Sequence, residues 1–256
     1  MELLAIYATA LVVVLIIVSL LWAASVPLKD ASIIDMAWGP LFVFIAWALL
    51  GRTEALEFKP YLITLLVTLW GLRLGFHLIG RNLGHGEDRR YQLWRQHGGS
   101  QWWLVTYWRI FLLQGGIALL VAAPIAAAYY NPEGFGVLAA LGVLVWAAGF
   151  VFELLADIEL NRFRAEPGSR GRILDTGLWA RCRHPNYFGD ALQWFGIALI
   201  ALTPSTWWAL IGPVVMTAVF IGISNDVLER GMRKRHPDYE AYIARTPKFF
   251  PKLWSR

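Results

Sequence analysis

Three polar stripes interrupt an otherwise oily chain. Glu153, Asp157, Asn161 and Arg164 are spaced four, four and three residues apart, which at about 100° per residue gathers them within roughly 80° of one helix face. Trp70, Arg73, His77 and Arg81 fall within a similar arc, and so do Asn186, Asp190, Gln193 and Trp194. Carboxylates, amides and guanidiniums aligned in this way can hold a polar ligand, relay protons, or tie helices together by hydrogen bonds. Charge without a partner is costly in hydrocarbon, so three stripes converging on Arg-rich loops point to a polar cavity. For any single residue, an interhelical bond is an equally good account.

The third stripe begins unusually, in "RCRHPNYFGDALQWFG" (181–196). Pro185 suits a first helical turn, and the N–H groups that follow it face the loops. Such a helix start attracts anions, phosphate above all. Around it the sequence gathers Arg164, Arg170, Arg172, Arg181, Arg183 and His184, with Asn186 and Tyr187 in the first turn. Guanidinium forks match phosphate oxygens, so a polyphosphate ligand fits, although basic loops are also what membrane topology alone produces. There is no G-x-G-x-x-G and no G-K-S/T loop, which excludes Rossmann and P-loop sites. The five histidines (77, 85, 97, 184 and 236) lack metal-ligand spacing, no serine sits in a nucleophile elbow, and Cys182 is the lone cysteine. No metal is expected.

The elements that must position these residues follow from composition. At 57% hydrophobic and 16% charged residues, with 14 tryptophans among 256 residues, the chain is too apolar for a soluble domain of its size. It reads as an all-α, polytopic membrane helix bundle of about seven transmembrane helices, near 3–23, 31–50, 60–80, 105–129, 135–160, 186–203 and 205–224. The first is read as a spanning helix and not a signal peptide, because Glu2 replaces a basic leader. Nineteen of the 23 Lys and Arg fall on one side of this arrangement, which places the N-terminus outside and the C-terminus in the cytoplasm. The same asymmetry accounts for the net charge of +5, so no nucleic-acid partner is implied. Residues 1–256 read as one integral-membrane domain, with a substrate side in 1–130 and a cofactor-binding core in 131–256.

"FELLADIELNRFR" (152–164) followed by "ILDTGLWARCRHPNYFGDALQWFGIAL" (173–199) resembles the C-terminal half of the steroid 5-alpha-reductase superfamily. "DMAWG" (35–39), "WGLRLGFHLIGR" (70–81), "GEDRRY" (86–91) and the pair Gln114-Gly115 resemble a bacterial, uncharacterised membrane branch of it. The superfamily also holds isoprenylcysteine and phospholipid methyltransferases, which share the Arg-His-Pro-x-Tyr segment seen here at 183–187. The resemblance implies a seven-helix bundle in which NADPH enters from the cytosol and reduces a carbon–carbon double bond conjugated to a carbonyl. It matches Asp157, Arg164, Arg172, Asn186 and Trp194 to cofactor-contacting positions. Glu153 stands where the animal steroid enzymes have Asn, and the N-terminal half diverges most. There Asp35, an acid flanked by apolar "SII" and "MAW", takes the place of the catalytic acid, and Trp70 or His77 falls near the catalytic Tyr. A salt bridge from Asp35 to Arg73 or Arg109 is the structural alternative.

The expected cofactor contacts are therefore Glu153, Asp157, Asn161, Arg164, Arg172, Arg183, His184, Asn186, Tyr187, Asp190 and Trp194, around NADPH. S-adenosylmethionine is the competing cofactor, since the acidic residues also suit a sulfonium. A non-catalytic scaffold is a third reading. The expected partners are membrane lipids and a lipid-like substrate, in a bacterial inner membrane with the active site open to the cytoplasm. Oligomeric state cannot be read from the sequence.

Overall fold

The computed structural model describes residues 2–52, 57–84, 86–132, 134–169, 171–223 and 228–252. His85 and Arg170 lie outside them. All regular structure among the described residues is helical. Four stretches are long and apolar enough to cross a bilayer: Glu2–Leu28, Phe58–Asn82, Gly99–Val121 and Val137–Ala165. Trp38–Leu50 and Trp207–Gly222 are shorter apolar helices. The chain divides into two compact units, residues 1–136 with 200–211 and residues 137–199 with 212–256.

The first unit opens with α1 (Glu2–Leu28), whose Ile6, Ala10, Val14 and Val18 recur every four residues and are buried while Leu11, Leu15 and Leu20 stay exposed. A single apolar face thus packs inward and the rest suits lipid. Helix α2 is one turn (Ile33–Met36) and α3 runs from Trp38 to Leu50. The expected continuous helix over 31–50 is broken at Ala37 because Pro40 has no N–H to donate to the carbonyl of Met36. Helix α4 (Phe58–Asn82) lies against α3 so closely that a Cβ on Gly39 would sit 2.4 Å from the carbonyl oxygen of Gly71. Only glycine permits that approach.

Helix α5 (Arg89–His97) is capped by Asp88, whose carboxylate accepts from the Arg90 N–H at 2.8 Å. Then α6 (Trp102–Thr106) passes through a π-helical turn, Tyr107–Leu112, into α7 (Leu113–Val121). Helix α8 (Ala123–Tyr130) follows a break at Ala122, where Pro124 again lacks the N–H that would continue the ladder. Ala123 through Tyr129 are all buried, and this alanine-rich post packs against α1, α4 and the 3₁₀ turn Trp207–Leu210.

The second unit is built on α9 (Val137–Ala165) and α10 (Pro185–Ala201). A Cβ on Gly149 would meet the Gly189 carbonyl at 2.6 Å, and one on Gly196 would meet the Gly142 carbonyl at 2.7 Å. Gly142 and Gly149 therefore face Gly196 and Gly189 in an antiparallel pair, each set seven residues apart, the close small-residue packing of membrane helices. Helices α11 (Ile211–Ile223), α12 (Glu229–Arg235) and α13 (Tyr239–Arg245) complete the unit.

Candidate active site

In the first unit, Asp35 is met by groups from two other helices. The Tyr91 hydroxyl donates to its Oδ1 at 2.9 Å, and Arg90 Nη2 reaches Oδ2 at 3.0 Å. Gln114 Nε2, on α7, lies 3.5 Å from the same Oδ1 and 3.3 Å from the Tyr91 oxygen. Arg90 also holds Asp88 at 3.0 Å and lies over the Tyr91 ring. The loop that brings α5 here is anchored by Glu87, which accepts from the Ala31 N–H at 3.0 Å and pairs with Arg95. Tyr91 is only 5% exposed, whereas the Asp35 side chain is 27% exposed. The cluster therefore presents a carboxylate edge to the outside and keeps its phenol inside.

The charges reinforce one another. Burial pushes the Tyr91 phenol well above the ordinary tyrosine range, and the negative charge of Asp35 pushes it further, so it stays a donor. Burial works against ionisation of Asp88, yet the hydrogen bonds and charge of Arg90 hold its carboxyl below the usual range. Arg90 in turn is held firmly cationic by Asp88 and Asp35 despite its burial.

Asp35 thus finds its cation in Arg90, while the expected partners lie elsewhere: Arg73 is half-buried on α4 and Arg109 is exposed in the π-helical turn. Trp70 is fully buried with its ring edge-on to Phe42 at 5.6 Å, and His77 is half-buried two turns further along α4. Neither bonds Asp35, whose partners are Arg90, Tyr91 and Gln114. Tyr91 is the residue that sequence reasoning missed as a site group. "GEDRRY" and Gln114 stand among the motifs of the resemblance, but nothing in their spacing says that they meet Asp35.

In the second unit, the α9–α10 interface carries polar rungs beside its glycines. Gln193 Nε2 donates to Glu153 Oε2 at 2.7 Å and Asn186 Nδ2 to Asp157 Oδ1 at 3.3 Å. Glu153, Asp157, Asp190 and Trp194 are all buried. Tyr187 is stacked between His184 and Phe220, with ring centroids 5.6 and 4.6 Å away. Asn161, Arg164, Arg172 and Arg181 are exposed, and Arg172 lies 3.6 Å from Glu166 and over the Phe163 ring.

Arg183 and His184 are placed differently. Arg183 Nε donates to Glu229 Oε1 at 2.9 Å, its Nη1 donates to the Thr246 carbonyl at 2.6 Å, and His184 Nε2 lies 3.3 Å from the same Glu229 oxygen. All three side chains are buried. Burial opposes the charge on Glu229, but the bonds from His184 and Arg183 prevail and hold its carboxyl down at about 2. Cys182 is buried, donates to the Phe249 carbonyl at 2.9 Å, and has its thiol pushed up to about 11 by burial, the profile of an inert cysteine. Among the described residues no group of three His, Cys, Asp or Glu is placed to hold a metal ion.

Comparison with known proteins adds three findings. A family model described as "Protein of unknown function (DUF1295)" matches residues 21–246. An uncharacterized protein of the fission yeast Schizosaccharomyces pombe (C594.04c) is 27% identical over 96% of this chain and 80% of its own. That relative is eukaryotic, so the likeness is not confined to a bacterial branch. A protein named "Probable O-methyltransferase ustE" from Ustilaginoidea virens is 33% identical over 60 residues, 23% of this chain and 21% of its own. No solved structure matches.

Proposed function

The chain belongs to the DUF1295 family of proteins of unknown function, and on that premise we propose that it is a membrane-embedded, NADPH-dependent reductase of a carbon–carbon double bond conjugated to a carbonyl in a steroid-like or other lipid substrate. The observation that carries this reading is the Tyr91 hydroxyl on Asp35 at 2.9 Å, with the Gln114 amide beside both. A carbonyl oxygen lodged at the partly open edge of Asp35 would replace the carboxylate as acceptor of the single Tyr91 hydroxyl proton, and Gln114 Nε2 would turn from Asp35 and the Tyr91 oxygen to donate a second bond. Those donors would then face the oxygen on which enolate charge develops. Arg90 keeps Asp35 and Tyr91 in register through its bonds to Asp35 and Asp88. NADPH, when bound, would supply the hydride for the β-carbon, and the Tyr91 hydroxyl would supply the proton that completes the reduction and be reprotonated from solvent.

The second unit offers a donor set that suits such a cofactor. Arg164, Arg172 and Arg181 are exposed guanidiniums that fit diphosphate and 2′-phosphate oxygens. Arg183 and His184 are committed to Glu229, so their role is to hold α12 and α13 against the start of α10 and not to face a phosphate. The distribution of Lys and Arg supports a membrane placement in which these arginines meet the cytoplasm.

Methyl transfer from S-adenosylmethionine is the second reading. The 60-residue likeness to a protein named as a probable O-methyltransferase favours it, and so do the buried carboxylates of Glu153 and Asp157, whose charge suits a sulfonium. Equilibrium binding of NADPH and of S-adenosylmethionine to detergent-purified protein separates the two. Saturable NADPH binding weakened at least tenfold by Arg164→Ala or Arg172→Ala, with NADPH oxidation on adding a long-chain enone, supports the reductase. Tight S-adenosylmethionine binding with no NADPH binding overturns it.

A further inference from the structure

Beside the acid cluster lies a cleft of about 640 Å³, lined by Trp94, His97, Trp102, Trp108, Arg109 and Ile110 among others. That volume suits a ligand of drug or lipid-fragment size. Three of its ten lining residues are tryptophans, and its one fixed charge is the Arg109 guanidinium. Among the described residues Arg109 makes no hydrogen bond, ion pair or ring contact.

The depth of Arg109 follows from the helix that carries it. Arg109 lies inside the apolar stretch Gly99–Val121, which at about 1.5 Å per residue is long enough to cross the hydrocarbon core. At the start of that run an aromatic belt gathers, with Trp22 against Trp103 at 5.9 Å and against Tyr107 at 4.8 Å. Arg109 follows directly on that belt within the apolar stretch, where a charge without a partner is costly. It also lies within the π-helical turn Tyr107–Leu112, a distortion that recurs at functional sites because it re-aims the side chains it carries. His97 faces the same cleft with its Nδ1 bound to the Leu93 carbonyl at 2.6 Å. An unsatisfied guanidinium at this depth, walled by tryptophan, is matched by a ligand with one anionic end and an apolar body.

We propose that this cleft binds an amphiphile carrying a single anionic group, its phosphate or carboxylate on Arg109 and its apolar body between the indoles of Trp94, Trp102 and Trp108. The Trp94 ring also packs edge-on against Tyr91 at 5.6 Å, so the occupant lies beside the acid pair. In that respect the proposal rests on the reductase reading and names its substrate class: an anionic lipid, not a neutral one. The binding claim itself needs no cofactor and no turnover.

The test uses the full chain in phosphatidylcholine nanodiscs, titrated calorimetrically with dodecyl phosphate, dodecanol and inorganic phosphate. Dodecyl phosphate is expected to bind saturably and at least tenfold more tightly than either of the others. Arg109→Gln is expected to remove about that tenfold advantage while leaving dodecanol binding unchanged, and Arg109→Lys to keep most of it. Trp102→Ala is expected to weaken dodecyl phosphate and dodecanol together. Inorganic phosphate binding as well as dodecyl phosphate would mean a free-phosphate site and overturn the proposal. Equal loss in the Gln and Lys variants, or no loss in either, overturns it as well. Binding as expected with no NADPH oxidation on any anionic enone would sink the reductase reading and leave the cleft standing.

Discussion

The Tyr91 hydroxyl and the Asp35 carboxylate are hydrogen-bonded at 2.9 Å across 56 residues of sequence, one in a buried phenol and the other at an open edge. The pair sets a buried hydroxyl donor on a carboxylate that is partly open. Removing the hydroxyl alone leaves the ring and its packing against Trp94 intact. Tyr91→Phe is therefore expected to lower kcat for enone reduction by about 100-fold or more with little change in KM, read from NADPH oxidation. Unchanged turnover would remove Tyr91 from the chemistry.

The same pair makes a spectroscopic prediction that needs no substrate. The phenol is held above its ordinary range by burial and by the Asp35 charge. Asp35→Asn deletes that charge while burial stays, so Tyr91 should ionise at lower pH in the variant than in the parent. The check is the tyrosinate absorbance near 295 nm as pH is raised, each protein referenced to its own Tyr91→Phe background.

Glu229 sets an acid limit. Its carboxyl is held at about 2 in the folded chain against an ordinary 4.5, so the unfolded chain binds the proton first as pH falls. The stabilisation is complete above about pH 4.5 and is lost progressively as pH falls toward 2. Glu229→Gln should flatten the dependence of Tm on pH over that window. At neutral pH it should cost about 3 kcal/mol, because the buried Arg183 guanidinium keeps neutral acceptors but loses the carboxylate paired with it. Thermal melts in detergent across that range provide the measurement.

Glycine positions offer a matched pair of stability tests. A Cβ at Gly189 would lie 2.6 Å from the backbone nitrogen of Glu153, so Gly189→Ala must push α9 and α10 apart. It is expected to destabilise by about 1–3 kcal/mol. Gly116 on α7 has open space around its Cβ position, and Gly116→Ala should be neutral or stabilising by up to about 1 kcal/mol through helix propensity. Equal effects in a thermal melt would discredit the close α9–α10 contact.

Helix content and most element positions were legible in the sequence, because apolar runs of bilayer length leave few alternatives. The breaks were less so: Pro40 and Pro124 mark them, yet an apolar run reads as continuous until the missing N–H is counted. Asp35 stood out as a lone acid among apolar neighbours. Tyr91 did not, since it sits in a short polar helix whose position depends on a loop clasped by Glu87. Arg183 is the converse. Its charge beside a helix start reads as phosphate binding, and only the fold brings up Glu229, 46 residues on, to claim it.

The two ends of α4 differ in how firmly the first unit is fastened there. Near its start, Thr64, Tyr129 and the Ala46 carbonyl form a buried chain of bonds through three helices, and Lys59 grips the Asn131 carbonyl at 2.9 Å. Past its other end, α5 is held to Asp35 by Arg90 and the Tyr91 hydroxyl and to Glu87 by Arg95, pairs whose arginines are more than a third exposed. The first unit is thus closed by buried neutral bonds at one end of α4 and by partly open charged pairs at the other, and a guest that came in on the α5 side would meet Asp35 and Tyr91 at its threshold.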